Sequence, residues 1–161
     1  MTSLAEELRE VMRLWVSGVA VVSSSYEGIC HGMTVNSFHS ISLFPALITI
    51  TLANDTRTKN LISKSNIFAL TILEEDQQEL AETFAGKGHP TTDRFAGLEI
   101  YTLISECPLL KKGIAHLDCR VIHLYEMPTT TLFVGEVLAA NYNSEKWPLL
   151  YMKRNYFTVK R

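Results

Sequence analysis

From residue 32 the chain reads Gly32-Met33-Thr34-Val35-Asn36-Ser37-Phe38-His39-Ser40-Ile41-Ser42, packing hydroxyls and a carboxamide where a half-buried strand would alternate apolar and polar residues. Thr, Asn and Ser offer short uncharged donors and acceptors, which suit the mixed donor and acceptor edge of a flat heteroaromatic ring. A hydroxyl-rich strand or turn facing solvent would carry the same residues. A second run, Asn54-Asp55-Thr56-Arg57-Thr58-Lys59-Asn60, can set hydroxyls, a guanidinium and free backbone N–H groups at a helix start. Those groups favour phosphate. An ordinary helix N-terminus capped by Asp55 or Thr56 is the alternative.

Other chemistries find less support. Gly86-Lys87-Gly88-His89-Pro90-Thr91-Thr92 holds the ingredients of a triphosphate-binding loop in the wrong order, so nucleotide triphosphate hydrolysis is excluded. The histidines at 31, 39, 89, 116 and 123 contain no i, i+4 pair beside a carboxylate, and no metal site is expected. His116 and Asp118 share a strand face by alternation and are expected as solvated neighbours, not a catalytic dyad. Cys30, Cys107 and Cys119 form no C-x-x-C pair; Cys30 and Cys119 fall in expected strands and read as small core residues.

These residues must be held by elements that the pattern partly discloses. Ser3 and Glu6 have capping-box spacing, and Leu4, Leu8, Val11, Met12 and Trp15 recur at helical intervals, so a short amphipathic helix opens the chain. Residues 16–24 are β-branched and apolar on both alternating faces, as in a strand covered on two sides, and a second strand follows the Tyr26-Glu27-Gly28 turn at Ile29. Residues 47–52 alternate as a strand, a short helix runs from the Asn54-Asp55-Thr56 turn to Ser63, residues 67–73 form another strand, and a second helix spans 75–84. Residues 85–93 form a surface loop. Residues 115–121 alternate until the phase slips near Ile122, the mark of a bulge, and 131–141 is the partner strand across a Met127-Pro128-Thr129-Thr130 connection. About six strands and two or three short helices predict a mainly β fold of antiparallel, barrel type.

The 161 residues, 47% of them hydrophobic, suffice for one complete core, so one domain spanning 1–161 is expected. A formal charge of −2 supplies no field for nucleic acid or an anionic membrane. The most apolar window, residues 44–53, is about half the ~20 residues that span a bilayer. Glu6, Glu7, Arg9 and Glu10 stand where a signal peptide would be basic and then apolar, so a cytoplasmic protein is expected.

From Leu14 through Phe157 the sequence resembles the flavin reductase family of the FMN-binding split-barrel fold, the small reductase components of two-component monooxygenases. The matching pieces are Val16-Ser17-Gly18-Val19-Ala20-Val21-Val22, Gly32-Met33-Thr34-Val35-Asn36-Ser37-Phe38, Ser40-Ile41-Ser42-Leu43-Phe44-Pro45, Thr56-Arg57-Thr58, Asp93-Arg94-Phe95, Phe133-Val134-Gly135-Glu136-Val137 and Pro148-Leu149-Leu150-Tyr151. The resemblance implies an antiparallel, Greek-key split barrel that dimerises, with one flavin per subunit and a nicotinamide nucleotide, NADH or NADPH, as electron donor. FMN is the expected flavin and FAD the alternative. Thr34, Val35, Asn36 and Ser37 would line the isoalloxazine with Ser40 and Ser42 close by, while Thr56, Arg57 and Thr58 would hold ribityl or phosphate oxygens. No protein nucleophile is required, because the flavin performs the redox step. The 85–93 loop would then be a lid, with Lys87 or Arg94 meeting the nucleotide's phosphates, or a solvated loop. Trp15, Trp147, Tyr151, Tyr156 and Phe157 would pack across a dimer interface or close the barrel's ends.

An oxygenase is the implied acceptor of the reduced flavin. The family's Gly-Asp-His before the Gly-Glu-Val strand is Pro128-Thr129-Thr130 here. That departure leaves a second reading, a flavin-binding electron carrier or sensor reduced by another protein. A related oxidase of the pyridoxamine phosphate type would need a cluster of basic residues, which the sequence does not display.

Overall fold

In the computed structural model, residues 3–87 and 93–159 are described. Helix α1 (Leu4–Arg13) starts at the capping box: the Ser3 side chain accepts from the Glu6 backbone, and the Glu6 carboxylate accepts from the Ser3 backbone. Its apolar stripe forms as the spacing requires but covers nothing, since no residue of α1 is buried.

Strands β1 (Ser17–Gly18) and β2 (Ala20–Tyr26) follow, then β3 (Ile29–Val35), β4 (Phe38–Leu43), β5 (Ala46–Ala53), helix α2 (Arg57–Ser65), β6 (Ile67–Ile72), helix α3 (Gln78–Phe84), β7 (Ile100–Tyr101), β8 (Leu109–Leu110), the long β9 (Ala115–Glu126) and β10 (Thr130–Tyr142), and finally β11 (Leu150–Met152) and β12 (Asn155–Phe157). Seven strands form one antiparallel sheet in the order β3-β2-β6-β9-β10-β5-β4. A small sheet β1-β11-β12 and the pair β7-β8 lie outside it.

The two edge strands of the large sheet, β3 and β4, are consecutive in the chain and joined only by Asn36 and Ser37. Three Cα steps reach at most about 11 Å. Seven strands laid flat would separate their edges by about 29 Å. The sheet therefore rolls up until its edges face each other, giving an open, mainly β barrel with a seam between β3 and β4.

Its interior is filled by Ala20, Val22, Val35, Ile48, Ile50, Leu52, Phe68, Leu70, Cys119 and Phe133, with Ile62 of α2. Val19 and Val21, alternating with Ala20 and Val22, face a second core with Leu73, Ala81, Phe84, Phe95, Leu110 and Leu149. That division explains the two apolar faces read at 16–24, because β2 is covered by the barrel interior on one side and by α3 and its neighbours on the other.

The slip near Ile122 is a bulge: Val134 pairs with His123 and Gly135 with Val121, leaving Ile122 unmatched. A second irregularity leaves Ile41 unmatched between the Ser40–Ile48 and Ser42–Leu47 pairs.

Two expectations are corrected. Cys30 is exposed at the second position of β3, beside the Glu27-Gly28 turn and outside the cores, whereas Cys107 and Cys119 are buried. His116 and Asp118 are buried, not solvated. Asp118 accepts from the Ser105 backbone N–H at 2.7 Å and from its hydroxyl. His116 lies 2.8 Å from the Leu110 carbonyl through Nε2 and 2.7 Å from Asn141 through Nδ1, so both residues secure the connections beside β9.

Candidate functional site

The hydroxyl-rich segment becomes the seam. An edge strand presents N–H and C=O groups that no neighbouring strand takes, and here both edges meet at Asn36 and Ser37. Asn36 is exposed and its amide donates to Ser17 Oγ at 3.2 Å. Ser37 is pinned to β5, its carbonyl accepting from Thr51 N at 3.0 Å and its hydroxyl donating to the Thr51 carbonyl at 2.7 Å.

Ser40 is exposed, while Ser42 is half-buried and donates to the Pro45 carbonyl. Thr34 is half-buried and donates to the Ala81 carbonyl of α3 at 2.6 Å. The Val35 side chain belongs to the barrel core, so only its backbone is available at the seam. Gly32 has a packing reason: a Cβ there would lie 2.9 Å from Phe84 Cε1 and 3.0 Å from Phe95 Cζ.

The second run forms the start of α2, immediately after β5. Thr56 is the N-cap, its hydroxyl accepting from Lys59 N, and the first helical residue is Arg57, which is exposed. Thr58 is fully buried and shares a 2.8 Å hydrogen bond with His31 Nδ1 on β3. Burial, then the guanidiniums of Arg94 and Arg57, push the His31 imidazole down to about 4. A neutral imidazole at pH 7 thus stands beside two cations at this rim.

Arg94 donates from Nη1 to the Gly32 carbonyl at 3.0 Å and the Phe84 carbonyl at 2.7 Å, tying the segment after the loop to the edge of β3. Burial lowers its pKa. Lys87 is exposed; residues 88–92, including His89 and most of the expected lid, lie outside the described residues.

The Met127–Thr130 turn, where the resemblance places its missing histidine, packs against the connection from β5 to α2. Asn54 donates from its backbone to the Thr129 carbonyl at 3.0 Å and from Nδ2 to the Met127 carbonyl at 2.9 Å, and its Oδ1 accepts from the buried Thr131 hydroxyl at 2.7 Å. Among the described residues no cluster of three metal-ligating side chains exists.

Sequence reasoning missed two features. His31 carried no motif signal of its own; only the pairing of β3 with α2 brings it to Thr58. The basic cluster sought in vain along the sequence exists in space: Arg9, Arg13, Lys153 and Arg154, from opposite ends of the chain, line one cleft of about 270 Å³ with Met12, Trp15, Asn36, Tyr151 and Met152. A larger hollow of about 620 Å³ lies between α3 and residues 93–99, lined by acidic and basic side chains alike. Tyr151 and Tyr156, expected at an interface or a barrel end, pack on each other with centroids 5.1 Å apart against the second core. Trp15 is exposed.

Comparison with known proteins matches the family model described as "Flavin reductase like domain" to residues 12–160. The chain is 32% identical over 150 residues to the reductase component of 4-nitrophenol 4-monooxygenase/4-nitrocatechol 2-monooxygenase from Rhodococcus opacus, covering 93% of this chain and 78% of that protein. It is 34% identical over 144 residues to an NADH-dependent FAD reductase from Streptomyces globisporus, covering 88% and 76%. Among solved structures, the Streptomyces globisporus C-1027 NADH:FAD oxidoreductase SgcE6 superposes with a TM-score of 0.92 at 30% identity, covering 100% of this chain and 96% of that one. That protein has also been solved in complex with NAD and FAD fragments.

Proposed function

Because the chain belongs to the flavin reductase like domain family, we propose that it takes a flavin, FMN or FAD, at the seam between β3 and β4 and reduces it with NADH or NADPH. The observation that carries this reading is the meeting of the two edge strands at Asn36 and Ser37, with the Thr56-capped start of α2 following directly from the strand that anchors Ser37. These residues fit a flavin. The exposed Asn36 and Ser40 and the edge backbone offer uncharged donors and acceptors for the ring, and Arg57 with the helix N-terminus offers positive potential for phosphate. Thr34, Ser37 and Ser42 spend their hydroxyl protons on backbone carbonyls, so they shape the seam and present lone pairs.

When bound, the flavin supplies the hydride-accepting chemistry. Asn36, Ser40 and the edge backbone would hold and orient its ring, and Arg57 with the start of α2 its phosphate. The relatives that are reductase components of monooxygenases support an oxygenase as the consumer of reduced flavin.

All 161 residues act as one domain in this reading, in the cytoplasm. No described helix is long and apolar enough to cross a membrane. A homodimer is supported by the uncovered stripe of α1, Leu4, Leu8 and Val11, and by Ile41, Leu43 and Phe44 at the end of β4, with Phe44 97% exposed. Sedimentation at micromolar concentration tests it, and a monomer would refute it.

The functional test is the visible spectrum of protein loaded with FMN and freed of excess flavin, followed by anaerobic NADH. Prompt bleaching is the expected result. Bound flavin that stays oxidised would favour the electron carrier, and no flavin binding together with no NADH oxidation in excess flavin would overturn the reading.

A further inference from the structure

Thr58, which the resemblance sets on the flavin's oxygens, is fully buried, and its hydroxyl lies 2.8 Å from His31 Nδ1. It has no surface to offer a ligand. His31 does. Along β3, Met33 and Val35 face the barrel core while Gly32 and Thr34 face Phe84, Phe95 and Ala81, so alternation turns His31 to the inner side, towards the start of α2. The ring is half-buried, and its second nitrogen, Nε2, meets no hydrogen-bond partner among the described residues. None of their buried side-chain nitrogens or oxygens lacks a partner, so Nε2 is open to solvent.

The charged groups that bear on this ring are both cations. Arg57 opens α2, and Arg94 is tied to the next residue of β3 by its 3.0 Å bond to the Gly32 carbonyl; with burial, these guanidiniums hold the imidazole neutral. Ser24, the cross-strand partner of His31, is uncharged. Asp93 acts on the neighbouring Cys30, and Lys59 of α2 is paired with Glu126. A neutral imidazole has one donor and one acceptor nitrogen, and the bond made by one fixes the role of the other. With the Thr58 hydroxyl donating to Nδ1, the proton sits on Nε2. An open N–H beside two guanidiniums and a helix start selects an anionic oxygen.

We propose that His31, not Thr58, meets the flavin: its Nε2–H donates to the phosphate ester, and Thr58 is the positioning residue that fixes the tautomer. The assignment rests on the flavin reading and concerns the phosphate, not the ring. His31 stands five residues before Asn36, about 17 Å along an edge strand. A three-ring system carrying a five-carbon chain and a terminal phosphate is of that scale.

FMN and riboflavin, which differ only in the phosphate, are the probes. Each is titrated into wild type, His31→Asn, His31→Gln, Thr58→Val and the double variant His31→Asn/Thr58→Val. The Asn amide stands where Nδ1 was and keeps a partner for Thr58, so His31→Asn should melt close to wild type while losing FMN affinity by about tenfold, with riboflavin affinity within twofold. The Gln amide reaches the place of Nε2, so His31→Gln should retain more FMN affinity than His31→Asn. Thr58→Val should weaken FMN alone, and the double variant should bind it no more weakly than His31→Asn. By NMR, the titration midpoint of His31, about 4 in the free protein, should rise by about one unit or more with FMN and stay in place with riboflavin.

An His31→Asn protein that keeps its FMN affinity, or loses both flavins equally, would overturn the proposal, as would a midpoint that FMN leaves unmoved. Losses from His31→Asn and Thr58→Val that add in full would remove Thr58 from the positioning role. A wild type that is reduced by NADH yet binds riboflavin as tightly as FMN overturns the assignment and leaves the reductase reading standing; one that binds neither flavin overturns both.

Discussion

Gly135 shows how a short motif can be a packing requirement. It sits on β10 opposite Ile48 of β5 and beside the Ile122 bulge. A Cβ built there would lie 2.5 Å from Phe68 Cζ, 2.6 Å from Phe68 Cε1 and 3.2 Å from Cys119 Cβ. Phe68 is fully buried in the barrel core, so its ring cannot swing into solvent to make room. Overpacking a tight core costs about 1–3 kcal/mol. Removing a strand glycine returns roughly 0.5–1 kcal/mol of conformational entropy. Gly135→Ala should therefore destabilise the protein by about 1–2 kcal/mol, lowering the Tm by about 2–8 °C for a chain of this size.

Urea unfolding of four proteins measures it: wild type, Gly135→Ala, Phe68→Leu and the double variant. Leucine lacks the ring atoms that clash, so the cost of the added methyl should nearly vanish in the Phe68→Leu background, a coupling of about 1 kcal/mol or more. Equal cost in both backgrounds, or a Gly135→Ala protein as stable as wild type, would refute the packing argument.

Asn54→Ala removes the bonds to Met127 and Thr131 and leaves the buried Thr131 hydroxyl without its partner, so it should cost about 2 kcal/mol in urea unfolding, largely restored by adding Thr131→Val. His31 titrates at about 4 in the folded protein against 6.5 when free, so the unfolded chain binds the extra proton between those values. Its contribution is complete above pH 6.5 and is lost as pH falls towards 4; wild type should lose more stability over that window than His31→Gln, and parallel pH profiles would contradict this. Of the three thiols only Cys30 should react with a disulfide reagent under native conditions, slowly because burial and then Asp93 raise its pKa, while Cys107 and Cys119 react after unfolding. Rapid labelling of a second thiol in native protein would contradict the burial pattern.

Much of the architecture was legible because it is written in local periodicity. Ser3 and Glu6 announced α1, the two-faced apolar run of β2 announced a strand buried on both sides, and the slip at Ile122 announced a bulge; each is a relation among residues a few positions apart, set by the backbone repeat. The candidate flavin segment could be singled out for the same reason, as a stretch from Gly32 to Ser42 in which Thr34, Asn36, Ser37, Ser40 and Ser42 crowd together. Periodicity misled where coverage decides the outcome. An apolar stripe says which face of α1 could be buried, not that anything covers it, and alternation placed Cys30 in a strand without showing that its end of the strand lies beyond the cores.

What only the tertiary structure decided depends on pairing over long separations. The two-residue link between β3 and β4 becomes a seam because five other strands intervene in the sheet. His31 meets Thr58 across 27 positions, and Arg94 reaches Gly32 across 62. Arg9 and Arg154 line one cleft because the β11–β12 hairpin docks on the end of α1. Side-chain chemistry and short-range repeat determine what a segment can do; the order in which strands pair determines what it meets, and that order carries no local signal.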